Sequence, residues 1–76
     1  MATQTHYRME LNNVLQQRDG STSALTWEAF STGPLHDPTW TYIAYIKGVE
    51  YGRGQGRGKD IAKELAAQRA LIALRG

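Results

Sequence analysis

Residues 52–67, GRGQGRGKDIAKELAA, decide how this chain folds. Four glycines occupy alternate positions, and they run directly into an alanine-rich segment whose charges stand four residues apart. Because glycine lacks a side chain, such a run is either a flexible surface hairpin or a stretch of backbone that comes close to another group. The rest of the sequence discriminates between these two possibilities.

The segment after the glycines has the apolar period of a helix from Lys59 to Leu74. Its predicted buried side is composed mostly of small residues: Ala62, Leu65, Ala66, Ala70 and Ala73. Leu71 and Leu74 flank this side. The alanines indicate a close approach between this helix and the surface that it covers.

Another helix is predicted from His6 to Gln17, with Thr5 as its N-cap. Apolar residues recur there at three- and four-residue spacing and form one buried stripe: Tyr7, Leu11, Val14 and Leu15. The opposite stripe carries amides and one thioether: Met9, Asn12, Asn13 and Gln16. Taken alone, this stripe fits a solvated helix surface as well as it fits a binding surface.

Three strands are predicted between the helices. In LTWEAFSTG, residues 25–33, Leu25, Trp27 and Ala29 alternate with polar residues, as in a half-buried strand. GPLHDP, residues 33–38, contains both prolines and is a loop, because proline supplies no ladder donor. WTYIAYIKGVEYGRGQ, residues 40–55, is rich in aromatic and β-branched residues, with a turn at Lys47-Gly48.

The predicted fold class is α+β in the order α-β-β-β-α. Two amphipathic helices and one three-stranded antiparallel sheet have to bury their apolar sides together, so both helices are expected side by side on one sheet face. The other face is left to water, which suits three polar positions: Thr41, Lys47 and Glu50.

Composition limits what this chain can be. A domain of 76 residues buries only about 60% of the surface that its unfolded chain exposes, which argues against a deep active-site cleft. Cysteine is absent, so neither disulfides nor thiolate metal sites stabilise the core. The polar N terminus and the lack of a long apolar run predict an intracellular protein of cytoplasm or nucleus, with no membrane partner.

The basic residues are concentrated around the glycine run. The formal net charge is only +2, yet Arg53, Arg57, Lys59 and Lys63 lie within eleven residues whose single acid is Asp60. The unpaired amides and the dipole at a helix start favour an anion, and the nearby cations add to that preference. A solvated basic helix start is the alternative, and an acid in the first turn supports it.

Known nucleotide motifs do not match this run. A Walker-type loop requires glycine where Arg53 stands and a magnesium-binding hydroxyl where Asp60 stands. The dinucleotide fingerprint belongs to a parallel β-α-β unit, whereas the predicted sheet is antiparallel. Neither motif explains the glycines.

Catalytic machinery is also lacking. The acids are scattered through the chain, and the sequence contains no cysteine nucleophile, nucleophile elbow or cluster with metal-ligand spacing. We therefore expect no catalytic residues, no metal, no cofactor and no enzymatic activity.

In element order and motifs, the chain resembles the double-stranded RNA-binding domain family. The most specific matches are Leu11-Asn12-Asn13, Gly33-Pro34-Leu35-His36, and the glycine run with Lys59-Asp60-Ile61-Ala62-Lys63. The likeness covers about residues 5–74, so residues 1–76 are predicted to form one such domain.

This resemblance implies a site in three patches. Met9, Asn12 and Asn13 would meet base edges and 2′-hydroxyls in one minor groove of A-form RNA, and Pro34 and His36 would enter the next. Arg57, Lys59 and Lys63 would bridge phosphates across the intervening major groove. Recognition would depend on duplex shape, with little sequence preference. Lys59 and Lys63 are expected to face solvent, so that their replacement by glutamate would leave the fold intact.

Two positions depart from the family pattern. Asn13 stands where the family commonly has glutamate, which removes a charged acceptor for a 2′-hydroxyl. Asp60 replaces a lysine, so binding should be weaker and less dependent on salt than in a fully basic member. These departures motivate an alternative function: a protein-interaction module of the same fold that docks a partner in RNA processing or silencing. A monomer is expected in either case.

The aromatic residues and the histidines also have two interpretations each. Trp40, Tyr42 and Tyr45 could stack bases, but Trp40 and Tyr42 are predicted to lie in the core because their strand must pack against two helices. His36 is either a turn residue or an RNA contact, and its motif favours the contact. His6 is expected to be exposed or to start the helix.

Overall fold

The computed structural model describes residues 6–21 and 23–76. Five elements follow one another: α1 (Tyr7–Asp19), β1 (Leu25–Thr32), β2 (Thr39–Ile46), β3 (Val49–Gly56) and α2 (Lys59–Arg75). The strands form one antiparallel sheet in the order β1-β2-β3. The predicted α-β-β-β-α order and fold class are confirmed. The predicted cap at Thr5 lies outside the described residues.

Helix α1 presents the predicted stripe to the interior. Leu11 and Leu15 are fully buried, while Tyr7 and Val14 pack partly buried against the same core. The helix ends at Gly20, whose φ of 74° is left-handed and whose N–H donates to the Gln16 carbonyl at 2.8 Å. A residue with a Cβ rarely adopts that conformation, so the glycine fits this helix end.

Strands β2 and β3 form a tight hairpin around Lys47 and Gly48. Both residues have positive φ, 54° and 80°, as a two-residue turn requires if it is to match the twist of the strands. The Lys47 N–H also donates to the Ala24 carbonyl at 3.0 Å, which ties the turn to the start of β1. The predicted turn is therefore present.

Most of the glycine run belongs to β3, and the flexible hairpin interpretation is wrong. Gly52, Gly54 and Gly56 pair with β2 and share the face that lies under α2. A Cβ on Gly54 would lie 2.5 Å from the Ala66 nitrogen and 2.6 Å from the Ala62 oxygen. The absent side chains let the α2 backbone contact the strand, and only Arg57 and Gly58 remain between β3 and the helix.

The buried side of α2 differs in detail from the prediction. Its fully buried residues are Ala62, Ala66, Ala67, Ala70 and Leu71. Ala73 is exposed and Leu65 only half-buried. The sheet and α1 both pack against α2. The buried side of α2 is therefore set by two neighbours and includes Ala67.

Thr41 and Ala29 correct two further expectations. Thr41 lies on the sheet face away from the helices, yet it is only 1% exposed. It sits in the central strand between Phe30 and Gln55, and the Gln55 amide donates to its hydroxyl at 3.2 Å. Ala29 is exposed because neither helix, within the described residues, packs closely along β1.

Candidate nucleic-acid interface

The two lysines at the start of α2 rest on aromatic rings of the sheet. Lys59 Nζ lies 4.6 Å from the centre of the Trp40 ring. Lys63 Nζ lies 4.9 Å from the centre of Trp27 and 5.8 Å from that of Tyr42. An ammonium over an aromatic face is attracted by the ring quadrupole, so each lysine ammonium is held close to its aromatic ring.

These contacts correct the predicted environment of three residues. Trp40 and Tyr42 are half-buried and support the lysines, instead of lying fully in the core. Lys63 is itself half-buried, so it does not simply face solvent. A glutamate at that position would place a carboxylate against the negative face of two rings, which makes it a poor probe of RNA contact.

The polar face of α1 meets α2 at a shallow open cleft. Met9 and Asn12 line it from α1 and Lys63 lines it from α2, together with His6, Arg8, Trp27 and Glu64. Met9 remains 60% exposed. The cleft thus joins two of the predicted site residues on α1 to one of the predicted cations. Asn13 is exposed on the same helix but does not line this cleft.

A charged network fastens the first turn of α1 to α2. The Glu64 carboxylate accepts the Tyr7 backbone N–H at 2.8 Å through one oxygen and the Arg8 side chain through the other. Arg8 Nη1 also lies 3.6 Å from Asp60 Oδ1. The hydrogen bond to Glu64 raises the pKa of the Arg8 guanidinium. Asp60 itself is 89% exposed.

The loop between β1 and β2 lies close to the segment that precedes α2. Arg57 Nε lies 3.9 Å from Asp37 Oδ1, and the Asp37 N–H donates to the Pro34 carbonyl at 3.1 Å. Pro34 and His36 are exposed on this loop. Arg57 therefore connects the loop to the segment that precedes Lys59.

Backbone donors add to the positive charge at the start of α2. Gly58 is the N-cap in an extended conformation, and among the residues that the structure describes no side-chain hydrogen bond caps this helix start. The Ala62 N–H is satisfied by the Gly58 carbonyl at 3.1 Å. The earlier amides point out of the helix start, where the dipole favours negative charge.

Apart from Asn13, the predicted site residues thus adjoin one another in turn along this part of the surface. Met9 and Asn12 share a cleft with Lys63, Lys59 sits one turn before Lys63 in α2, and Arg57 contacts the loop that bears Pro34 and His36. The arrangement offers amides that donate and accept, cations held in place, and a projecting loop. These groups suit a ligand rich in hydroxyls and phosphates.

Comparison with known families agrees with this geometry. A family model described as "Double-stranded RNA binding motif" matches residues 7–74. The chain belongs to this family. It is a double-stranded RNA-binding module, and the predicted family and general function are confirmed.

Bacterial proteins named Ribonuclease 3 are among the relatives of this module. That of Geobacter metallireducens is 38% identical over 71 residues, which make up 92% of this chain and 28% of the relative. That of Lactococcus lactis subsp. cremoris is 36% identical over 66 residues, 86% of this chain and 28% of the relative. The chain therefore spans little more than a quarter of these relatives.

A solved structure gives the same fold. The solution structure of DRB4 dsRBD2 superposes with a TM-score of 0.66 and covers 95% of this chain and 99% of its own. At 23% sequence identity, this likeness concerns the fold alone.

Two other kinds of feature are missing from the described part of the chain. Residues 6–21 and 23–76 contain no group of three or more histidine or acidic side chains placed to hold a metal ion. Neither described helix is long and apolar enough to cross a membrane.

Two sets of contacts at this interface have no counterpart among the sequence-based predictions. The sequence contains a signal from which the lysine-aromatic contacts could have been predicted, because Lys59 and Lys63 stand four residues apart on a helix predicted to cover an aromatic strand. The Arg8–Glu64 pair had none, since its members are 56 residues apart and each has the appearance of an ordinary surface charge.

Proposed function

We propose that this module recognises A-form RNA by its shape, through three patches. Met9, Asn12 and Asn13 contact 2′-hydroxyls and base edges in one minor groove. Pro34 and His36 enter the next minor groove, and Arg57, Lys59 and Lys63 contact phosphates between them. The wide, shallow minor groove of A-form RNA exposes its 2′-hydroxyls to such a surface, and a domain of this kind spans about 16 base pairs.

The placement of Lys63 is the observation that carries this proposal. Its ammonium rests on Trp27 and Tyr42 and lines the same cleft as Met9 and Asn12. A group that meets phosphate is therefore adjacent to groups that meet hydroxyls. A lysine held over aromatic rings loses less side-chain entropy when it binds than a freely rotating one does.

A comparison of three nucleic acids tests the proposed mode of recognition. Binding is measured for an RNA duplex of about 20 base pairs, the matching DNA duplex and the single-stranded RNA, each at two salt concentrations. We expect the RNA duplex to bind most tightly and its affinity to fall as salt rises. Equal affinity for all three nucleic acids would contradict recognition through 2′-hydroxyls and A-form shape.

Replacement of the two lysines by glutamine tests the phosphate patch. Glutamine removes each charge without placing a carboxylate over the rings, so the fold should be retained. We expect Lys59→Gln with Lys63→Gln to lower duplex affinity by a factor of about 10 to 100, as for the loss of two phosphate contacts. Lys47→Gln with Arg18→Gln, at the hairpin turn on the far end of β2 and in the last turn of α1, also removes two charges and should bind nearly like the wild type.

We further propose that the chain acts as a monomeric, intracellular binding module without catalysis of its own. The Ribonuclease 3 relatives are matched over only 28% of their length, and the acids of this chain are occupied in ion pairs or dispersed. Incubation of a labelled RNA duplex with the protein and Mg²⁺ should leave the duplex intact. Light scattering should give the mass of one chain, and cleavage or a dimer mass would contradict this part of the proposal.

A further inference from the structure

The acid at position 60 stands among the groups proposed to bind phosphate. Asp60 follows Lys59 directly and precedes Lys63 by three residues, and its side chain is 89% exposed. A free carboxylate at this position would repel an approaching phosphate. It could also pair with Lys63, because oppositely charged residues three apart on a helix are neighbours.

The structure shows a different pairing for this acid. Arg8 Nη1, from α1, lies 3.6 Å from Asp60 Oδ1, while Lys63 Nζ lies over Trp27 at 4.9 Å. Arg8 is held in place by its hydrogen bond to Glu64, whose other oxygen accepts the Tyr7 N–H at 2.8 Å. The arginine thus bridges two carboxylates that stand one turn apart on α2.

We infer that Arg8 is a positioning residue for RNA binding: it neutralises Asp60 and Glu64 and so leaves Lys59 and Lys63 free to attract phosphate. This inference rests on the proposed phosphate patch. Glu64 is 19% exposed, so the arginine neutralises a partly buried charge as well as an exposed one. The module thereby accommodates an acid in its basic surface by supplying a cation from the other helix.

A double-mutant cycle with Arg8→Gln and Asp60→Asn tests this role. Arg8→Gln should weaken binding to an RNA duplex at low salt by about fivefold, the order of one charge interaction at a protein surface. In the Arg8→Gln background, Asp60→Asn should restore most of the lost affinity. In the wild-type background, where Arg8 already neutralises the acid, Asp60→Asn should change affinity much less.

Rescue by Asp60→Asn separates this role from two others. An asparagine at position 60 cannot rebuild the Arg8–Glu64 bond, so Asp60→Asn would have the same effect on affinity in both backgrounds if Arg8 acted only by holding α1 in place. If Arg8 contacted phosphate itself, Asp60→Asn would raise affinity by a similar factor in both backgrounds, and the salt dependence would decrease by about one ion in Arg8→Gln. Failure of rescue overturns the inference, as does unchanged affinity of Arg8→Gln.

Arg18→Gln is the charge-matched control, because Arg18 is an exposed arginine in the last turn of the same helix. It should weaken binding less than Arg8→Gln does, and an equal loss would overturn the inference. Failure of the proposed function has a different signature: the wild-type protein itself would not prefer the RNA duplex. If the wild type prefers the RNA duplex but the two substitutions of the cycle have additive effects on affinity, the role of Arg8 is overturned and the proposed function is not.

Discussion

Gly54 shows how strongly one missing side chain determines this fold. Gly54→Ala would bring a Cβ within 2.5 Å of the Ala66 nitrogen, and the backbone of α2 cannot move away without disrupting its contact with β3. We expect a loss of about 2 to 3 kcal/mol in the free energy of unfolding, as for overpacked cores. Urea denaturation followed by tryptophan fluorescence measures this loss.

Gly58→Ala is the matched control for this substitution. A Cβ there would have its nearest neighbour, Ile61 Cδ1, at 3.9 Å, and the backbone is extended with φ of −118°. Because glycine is preferred over alanine at an N-cap, we expect a loss of about 1 kcal/mol in the free energy of unfolding, smaller than that of Gly54→Ala. Similar losses for both variants would mean that close packing of α2 on β3 is not the cause.

The Glu50–Arg53 pair on β3 gives stability a dependence on acidic pH. Two hydrogen bonds of 2.9 Å from Arg53 lower the pKa of the Glu50 carboxyl below its ordinary value of 4.5. Because the folded-state pKa is lowered, the stabilisation is present above the ordinary pKa and is lost as pH falls through the folded-state value. The thermal midpoints of wild type and Glu50→Gln should therefore differ at neutral pH and converge as the pH falls below the folded-state pKa of Glu50. A constant difference between them would contradict this.

At the scale of elements, α1 depends on α2 for its position. Glu64 accepts hydrogen bonds from the Tyr7 backbone and the Arg8 side chain, and Arg75 pairs with Glu10 further along the two helices. Glu64→Gln keeps the shape of the side chain but removes the charge from both bonds. We expect faster hydrogen exchange in the first turn of α1 and a loss of about 1 kcal/mol in the free energy of unfolding.

Glu28→Gln serves as the control for the helix contact. Glu28 accepts a hydrogen bond from the Tyr45 hydroxyl at 2.8 Å on the sheet face away from the helices. This substitution also removes one acid but should leave exchange in α1 unchanged. If the two variants gave the same exchange pattern, Glu64 would not be what fastens α1 to α2.

At the scale of the whole molecule, charge placement matters more than net charge. Asp60→Lys and Glu28→Lys change the net charge equally, but only position 60 lies at the proposed phosphate patch. We expect Asp60→Lys to tighten binding to an RNA duplex and to steepen its salt dependence by about one ion. Glu28→Lys should leave both quantities near their wild-type values. Equal effects of the two substitutions would indicate non-specific attraction by net charge.

Most elements of this fold could be predicted because their signals are local. The three- and four-residue spacing of Leu11 and Leu15, and the Lys47-Gly48 turn, each report on a few neighbouring residues. The exposure of individual residues was less predictable. Thr41 is polar and faces away from the helices, yet the neighbouring strands bury it, and Ala67 is buried because α1 packs there. Local periodicity carries no information about such neighbours.

The candidate site divides in the same way. The sequence alone identified its amides, its loop and its cations, because these lie in short motifs whose chemistry is evident from residue type. It did not show that Lys63 rests on Trp27 and Tyr42, nor that Arg8 bridges Glu64 and Asp60. Those contacts join residues far apart in the chain and form only after the helices have packed on each other and on the sheet.

The sequence by itself determined the order of the elements, since hydrophobic period and turn residues act over a few positions. Tertiary structure decided what the glycines do. Each of Gly52, Gly54 and Gly56 is compatible with a flexible hairpin until α2 lies against the strand, and then only the absence of a side chain lets the two backbones touch. That contact sets the position of Lys59 and Lys63 above the aromatic residues of the sheet.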